Sequence, residues 1–221
     1  CVKKNLLSVL RKKEWSFATK LHAIFHLMNS TVFIFIMTTA LLSIPMLLIK
    51  EYFVQFREIF LYATFFLFSL LILGVFYFTA LAQEERKFPH NLGKFAGIFP
   101  VFLAVSMGLA LHNASAVLQG YFGKKTPFKR TPKFGIQSGG QSWKQNKYLE
   151  KTINWMTLAE GILALYFASG VAVAFILKDF GLLPFHLMLS FGFGFVCYYS
   201  VVHSKSSVGD QRVARWKLKV V

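Results

Sequence analysis

Three features of the sequence carry groups able to do chemistry. The segment from Lys124 to Phe134 reads KKTPFKRTPKF and sets Lys124, Lys125, Lys129, Arg130 and Lys133 around Phe128, Thr131 and Phe134. Cations with a hydroxyl grip a phosphate, and an aromatic ring stacks on a base or sugar. The same composition suits a juxtamembrane loop that touches anionic lipid, and by composition alone that plainer reading is the stronger one. Pro127 and Pro132 forbid a regular helix, and Gly135, Gly139 and Gly140 prolong the irregular backbone, so the segment reads as a loop. Glu160 is the only acid inside the long apolar runs, where a carboxylate is expensive to bury and is a functional candidate by default. It stands nine residues beyond Lys151, about 13 Å along a helix, so a channel-lining or loop-anchoring role and a merely interfacial one stand level. His22 and His26 are four apart on an expected helix, but the glutamate of an HExxH zinc site is absent, and interfacial polar side chains are the better account. No glycine-rich phosphate cradle, CxxC pair, GxSxG elbow or paired carboxylate occurs, so neither a catalytic residue nor a metal site is assigned within these 221 residues.

The elements that must position these groups follow from hydropathy and charge. The chain is 55% hydrophobic and 17% aromatic but only 15% charged, and its mean hydropathy is +0.51. That excludes intrinsic disorder, which needs low hydrophobicity. The net charge of +16 is broken up by apolar runs rather than gathered on one soluble face, which argues against a nucleic-acid binder. Five stretches hold almost no charge: 21–49, 59–83, 95–123, 152–177 and 180–204. Each exceeds the roughly 20 apolar residues a helix needs to cross a bilayer, and none alternates as a strand would.

The segments between the runs decide which of them cross. Residues 1–20 carry +5, 124–151 carry +7 and 205–221 carry +4, whereas 50–58 and 178–179 are neutral and 84–94 carry +1. Five crossings would put the +7 segment opposite the +5 N-terminus, against the positive-inside rule. If 95–123 lies in the interface, every strongly basic segment falls on one side. Gly108, His112, Ser115, Ala116 and Gln119 form a small or polar stripe on that run, which suits an interfacial helix, or else close packing on another helix.

The expectation is therefore an all-α membrane protein with four transmembrane helices, an N-terminal amphipathic helix and one interfacial helix before a cytoplasmic loop. Its parts are an amphipathic segment (1–26), a first transmembrane pair (27–83), the interfacial helix (95–123), the loop (124–151), a second transmembrane pair (152–204) and a basic cytoplasmic tail (205–221). Cys1 and Cys197 do not form a disulfide framework and leave the redox compartment open.

The run from Met107 to Phe134, MGLALHNASAVLQGYFGKKTPFKRTPKF, resembles the C-terminal membrane region of family 2 processive glycosyltransferases, in particular cellulose-synthase-like and glucomannan (mannan) synthase-like enzymes. In them an LHN-containing interfacial helix precedes a segment of RTPKF type. The stretch Asn5–Asn29, with KxHAxFH at Lys20–His26, is similar to the segment that follows their catalytic domain. The likeness covers most of 5–150; the last two runs match mainly by position and hydropathy. It implies that the loop is a gating loop of FxVTxK type, matched by Phe128, Thr131 and Lys133, with Arg130 in place of the valine. Thr131 and Lys133 would then meet the nucleotide diphosphate and Phe128 would help seat the loop.

The resemblance implies an inverting transferase that moves sugar from a nucleotide-sugar donor to a growing β-glycan or a lipid-linked acceptor, in a bacterial inner membrane, with N-terminus, loop and C-terminus cytoplasmic. The catalytic aspartates, general base and QxxRW motif of such enzymes are absent, since Arg215–Trp216 lacks the glutamine (position 212 is Arg). The catalytic domain, with its Mg or Mn, is therefore expected upstream of Cys1, and the 221 residues alone are expected to bind no cofactor and transfer no sugar. The alternatives are a small non-enzymatic transporter or channel subunit that uses Glu160, and a membrane anchor that recruits a partner through the basic loop.

Overall fold

The computed structural model describes residues 2–56, 58–60, 67–85, 90–124 and 153–217. Among them the chain is helical almost throughout, with no strand. The elements are α1 (Val2–Arg11), α2 (Phe17–Met28), α3 (Val32–Tyr52), α4 (Leu67–Glu85), α5 (His90–Gly108), α6 (Ala110–Tyr121), α7 (Trp155–Leu177) and α8 (Leu183–Lys217).

The amphipathic opening, expected as one helix over 1–26, is two helices. Ser16 is the reason for the break: it sits in an extended conformation and its side chain accepts from the Thr19 N–H at 3.2 Å, capping a new helix. Lys20 Nζ donates back to the Leu10 carbonyl at 3.2 Å, closing the free end of α1. A single 3-10 turn, Asn29–Thr31, then leads from α2 into α3, so that Phe17–Tyr52 forms one apolar stretch of 36 residues.

Among the described residues, four helical stretches are long and apolar enough to cross a membrane: Phe17–Tyr52, Leu92–Tyr121, Trp155–Leu177 and Leu183–Ser204. The chain is thus a multi-pass helical membrane protein in its architecture. Within the 59–83 run, Phe68–Gln83 of α4 is a shorter apolar helical stretch. The 95–123 run, expected as one interfacial helix, is α5 and α6 meeting at Leu109. The backbone ladder carries across, from Leu109 N–H to Val105 O (3.1 Å) and from Asn113 N–H to Leu109 O (3.2 Å). By length it qualifies as a crossing. The expected tail is not a separate element either, because α8 runs unbroken from Leu183 to Lys217.

Packing is governed by small residues at one crossing. A Cβ on Gly192 would fall 1.9 Å from the Ala104 carbonyl oxygen, and one on Gly108 would fall 2.3 Å from the Gly192 oxygen. The backbones of α5 and α8 therefore touch, as small residues allow between membrane helices. Met37 and Ala40 of α3, Ala110 and Ala114 of α6, Phe167 of α7, and Leu189 and Phe193 of α8 close the core. Phe167 stacks on Phe193, with ring centroids 5.6 Å apart and planes 16° apart.

Pro45 stands inside α3 and cannot donate to the Leu41 carbonyl one turn earlier. Tyr166 of α7 replaces that missing donor, with its hydroxyl donating to Leu41 O at 2.6 Å. In hydrocarbon a freed carbonyl has no water to turn to, so a neighbouring helix must satisfy it.

Candidate functional site

α7 begins at Asn154, whose side chain accepts from the Thr157 N–H at 3.0 Å. Glu160 lies six residues on, about 9 Å along the axis, and is completely buried. One carboxylate oxygen, Oε1, is joined to His112 Nε2 on α6 by a short hydrogen bond. The other oxygen, Oε2, is buried with no partner among the described residues. The imidazole is the open side of the pair: 42% of its side-chain surface is exposed, against 0% for Glu160. Beside it, Cys197 of α8 donates to the Thr157 carbonyl at 3.4 Å and its sulfur lies against Gly161.

This pair joins the helix that ends at Tyr121 to the helix that starts at Trp155. It therefore ties together the two stems of the segment between them. A carboxylate on an imidazole can hold or pass a proton, and the free Oε2 is a strong acceptor for an incoming donor or cation. Thr31 Oγ1 and Tyr121 OH form a second short hydrogen bond, which fixes the end of α6 to the start of α3.

A second buried polar cluster lies elsewhere in the core. His186 of α8 and Ser43 of α3 are both buried, with His186 Nε2 2.9 Å from Ser43 Oγ. Ser43 donates its hydroxyl hydrogen to the Ala40 carbonyl at 2.6 Å, so the ring N–H must be the donor to Ser43 Oγ. That leaves Nδ1 as a buried acceptor with no partner among the described residues, facing Gly170.

An ion pair at the surface, Lys50 Nζ to Asp179 Oδ2, links the end of α3 to the α7–α8 turn. The hydrogen bond from Lys50 holds the Asp179 carboxyl below the usual carboxylate range, and the Gly181 N–H adds to the effect.

Phe128, Arg130, Thr131 and Lys133 lie outside the described residues. Glu160 is brought into a site, and His22 and His26 are exposed on α2. The polar stripe running from α5 into α6 divides its work: Gly108 at the end of α5 meets α8, His112 meets Glu160, and Ser115 bonds Gln119 at 3.2 Å beside α3. His186, Ser43 and Tyr166 were missed in the sequence. For His186 and Ser43 the signal was available, since both are polar groups in uncharged runs and Ser43 stands two residues before Pro45. No group of three His, Cys, Asp or Glu able to hold a metal occurs among the described residues.

Fold and site together define the class: a multi-pass α-helical membrane protein with a buried carboxylate–imidazole pair between helices. No protein family, curated protein or solved structure matches the chain.

Proposed function

We propose that the chain is the membrane part of an inverting glycosyltransferase that passes sugar from a nucleotide sugar to a β-glycan or a lipid-linked acceptor. The loop carrying Phe128, Arg130, Thr131 and Lys133 closes over the nucleotide diphosphate, and the helices guide the product through a bacterial inner membrane. Orientation follows the charges, with the basic N-terminus, loop and tail in the cytoplasm. The aspartates, general base and divalent metal come from a catalytic unit outside these 221 residues.

The observation that supports this reading most is the His112–Glu160 pair together with the sequence of the loop. A loop that grips a phosphate needs rooted ends, and the pair bonds the helix entering the loop to the helix leaving it. The test is made in the longest native polypeptide that carries these residues. Thr131→Ala and Lys133→Ala should each lower sugar transfer and nucleotide affinity about tenfold or more, as expected for loss of a charge-assisted phosphate contact. Unchanged activity and affinity in both variants would overturn the assignment. Sugar transfer by the purified 221-residue piece would overturn the division of labour.

One observation favours a second reading. The half-satisfied, fully buried Glu160 is the kind of group that couples ion or proton movement in a transporter. Glu160→Gln would then abolish substrate flux with no dependence on nucleotide, whereas the transferase reading expects the flux, if any, to require nucleotide sugar.

A further inference from the structure

α6 ends in a left-handed turn at Gly123 (φ 75°). Lys124 N–H reaches back to the Gln119 carbonyl (2.9 Å) and Gly123 N–H to the Gly120 carbonyl (3.2 Å), the paired bonds of a Schellman cap. The turn sets Lys124 at the mouth of an open groove of about 460 Å³ between α3 and α6. This volume falls in the range of ligand sites, roughly 300–1,000 Å³. Its walls are apolar, with Ile34 and Leu41 on one side and Leu111 and Leu118 on the other; Phe122, almost fully exposed, stands at the mouth. The polar groups along it are already engaged: Thr38 donates to the Ile34 carbonyl (2.9 Å), and Gln119 donates to Ser115 (3.2 Å).

A second cation stands at the same end. Lys3 Nζ of α1 lies 3.0 Å from where a Cβ on Gly123 would be. Neither Lys3 nor Lys124 has an acidic partner among the described residues. An apolar slot capped at one end by two ammonium groups is complementary to a single kind of occupant, an amphiphile with an anionic head. A second copy of the chain is a poor fit, because it would bring another +16 to a cationic mouth.

We propose that this groove is a specific site for an anionic phospholipid, with one acyl chain lying between α3 and α6 and the phosphate held between Lys3 and Lys124. The site draws α1, α3 and α6 together around one lipid, and it stands or falls separately from the transferase reading.

The test uses the whole chain in vesicles of phosphatidylcholine with or without phosphatidylglycerol. A photoactivatable diazirine is placed in the acyl chain of either lipid, and the crosslinks are mapped by peptide. Segments 32–41 and 110–122 should label about thirtyfold more strongly with the phosphatidylglycerol probe, as two lysines near the surface imply. Lys3→Gln with Lys124→Gln should bring that labelling down to the phosphatidylcholine level. Ser115→Phe, which fills the groove, should lower it for both lipids. The lysine substitutions are at the surface and keep the test informative if the groove-filling variant fails to fold. Equal labelling by the two lipids, or labelling insensitive to the lysines, overturns the proposal. So does full competition by millimolar inorganic phosphate, which would make it a free-phosphate site. Protein-to-protein crosslinks from the same segments in place of lipid adducts would overturn it in favour of a second copy.

Discussion

The two histidine sites, each tied to a buried side chain, solve the same problem with opposite chemistry. At Ser43–His186 all members are neutral, and the hydrogen bonds run in one direction, from imidazole to hydroxyl to the Ala40 carbonyl. Its one loose end, Nδ1, faces the bare Cα of Gly170, where any larger residue would strike Ile44 and the ring. At His112–Glu160 the loose end is a carboxylate oxygen, and the imidazole opens to the exterior. The first is a closed structural knot between α3 and α8. The second is an incomplete pair that can accept something more, and it joins the helix that ends at Tyr121 to the helix that starts at Trp155. The contrast teaches that depth alone does not mark a functional group; what matters is whether the loose end is a neutral nitrogen shut against Gly170 or a carboxylate oxygen paired with an imidazole that opens outward.

The largest expected effect breaks the carboxylate–imidazole pair from one side. His112→Ala leaves the buried carboxylate unpaired and should lower unfolding stability by about 3–5 kcal/mol. Adding Glu160→Gln to that background should recover much of the loss, because the stranded charge is gone. Both are measured by denaturant or thermal unfolding in detergent. Equal instability in the single and double variants would mean that no charge is stranded, and the two sites would be alike.

A smaller effect is expected at the neutral knot. Ser43→Ala strands the His186 N–H and should cost about 1–3 kcal/mol, whereas Ser43→Ala together with His186→Phe should be milder than His186→Phe alone suggests, since neither polar group is left behind. A double-mutant cycle supplies the coupling, and additive losses would dissolve the knot.

The smallest effect calibrates both against the surface. Asp179 has its folded pKa depressed by Lys50, so the pair's contribution is present above the unfolded carboxyl value of about 3.9 and disappears as pH falls through the lower folded value. A partly exposed pair of this kind contributes up to about 1 kcal/mol. Unfolding midpoints followed downward from about pH 6 should show that acid-side step, and Asp179→Asn should remove it. A step that persists in Asp179→Asn would assign it to another carboxyl.

Much of this was legible along the chain. Glu160 stood out because one acid in a long uncharged run is conspicuous whatever surrounds it. The small stripe across α5 and α6 was also visible, but its use was not, since one stripe serves a glycine crossing, a carboxylate partner and a groove wall. The corner after α1 was hidden among basic residues, where Ser16 as a cap was outweighed by the amphipathic pattern on either side. Tyr166 gave no sign of its role, because the carbonyl freed by Pro45 lies 125 residues away in sequence.

Run lengths, hydropathy and the placing of charges are properties of contiguous chain, and they alone determined a helical protein of the membrane with its basic segments apart from its neutral turns. The partnerships were decided only in three dimensions. His112 meets Glu160 across 48 residues, and Ser43 meets His186 across 143. Both depend on how closely helices approach and at what rotation. That is set by backbone contact at Gly108 and Gly192 and by the stacking of Phe167 on Phe193, which are matters of shape between segments and are not written in either segment alone.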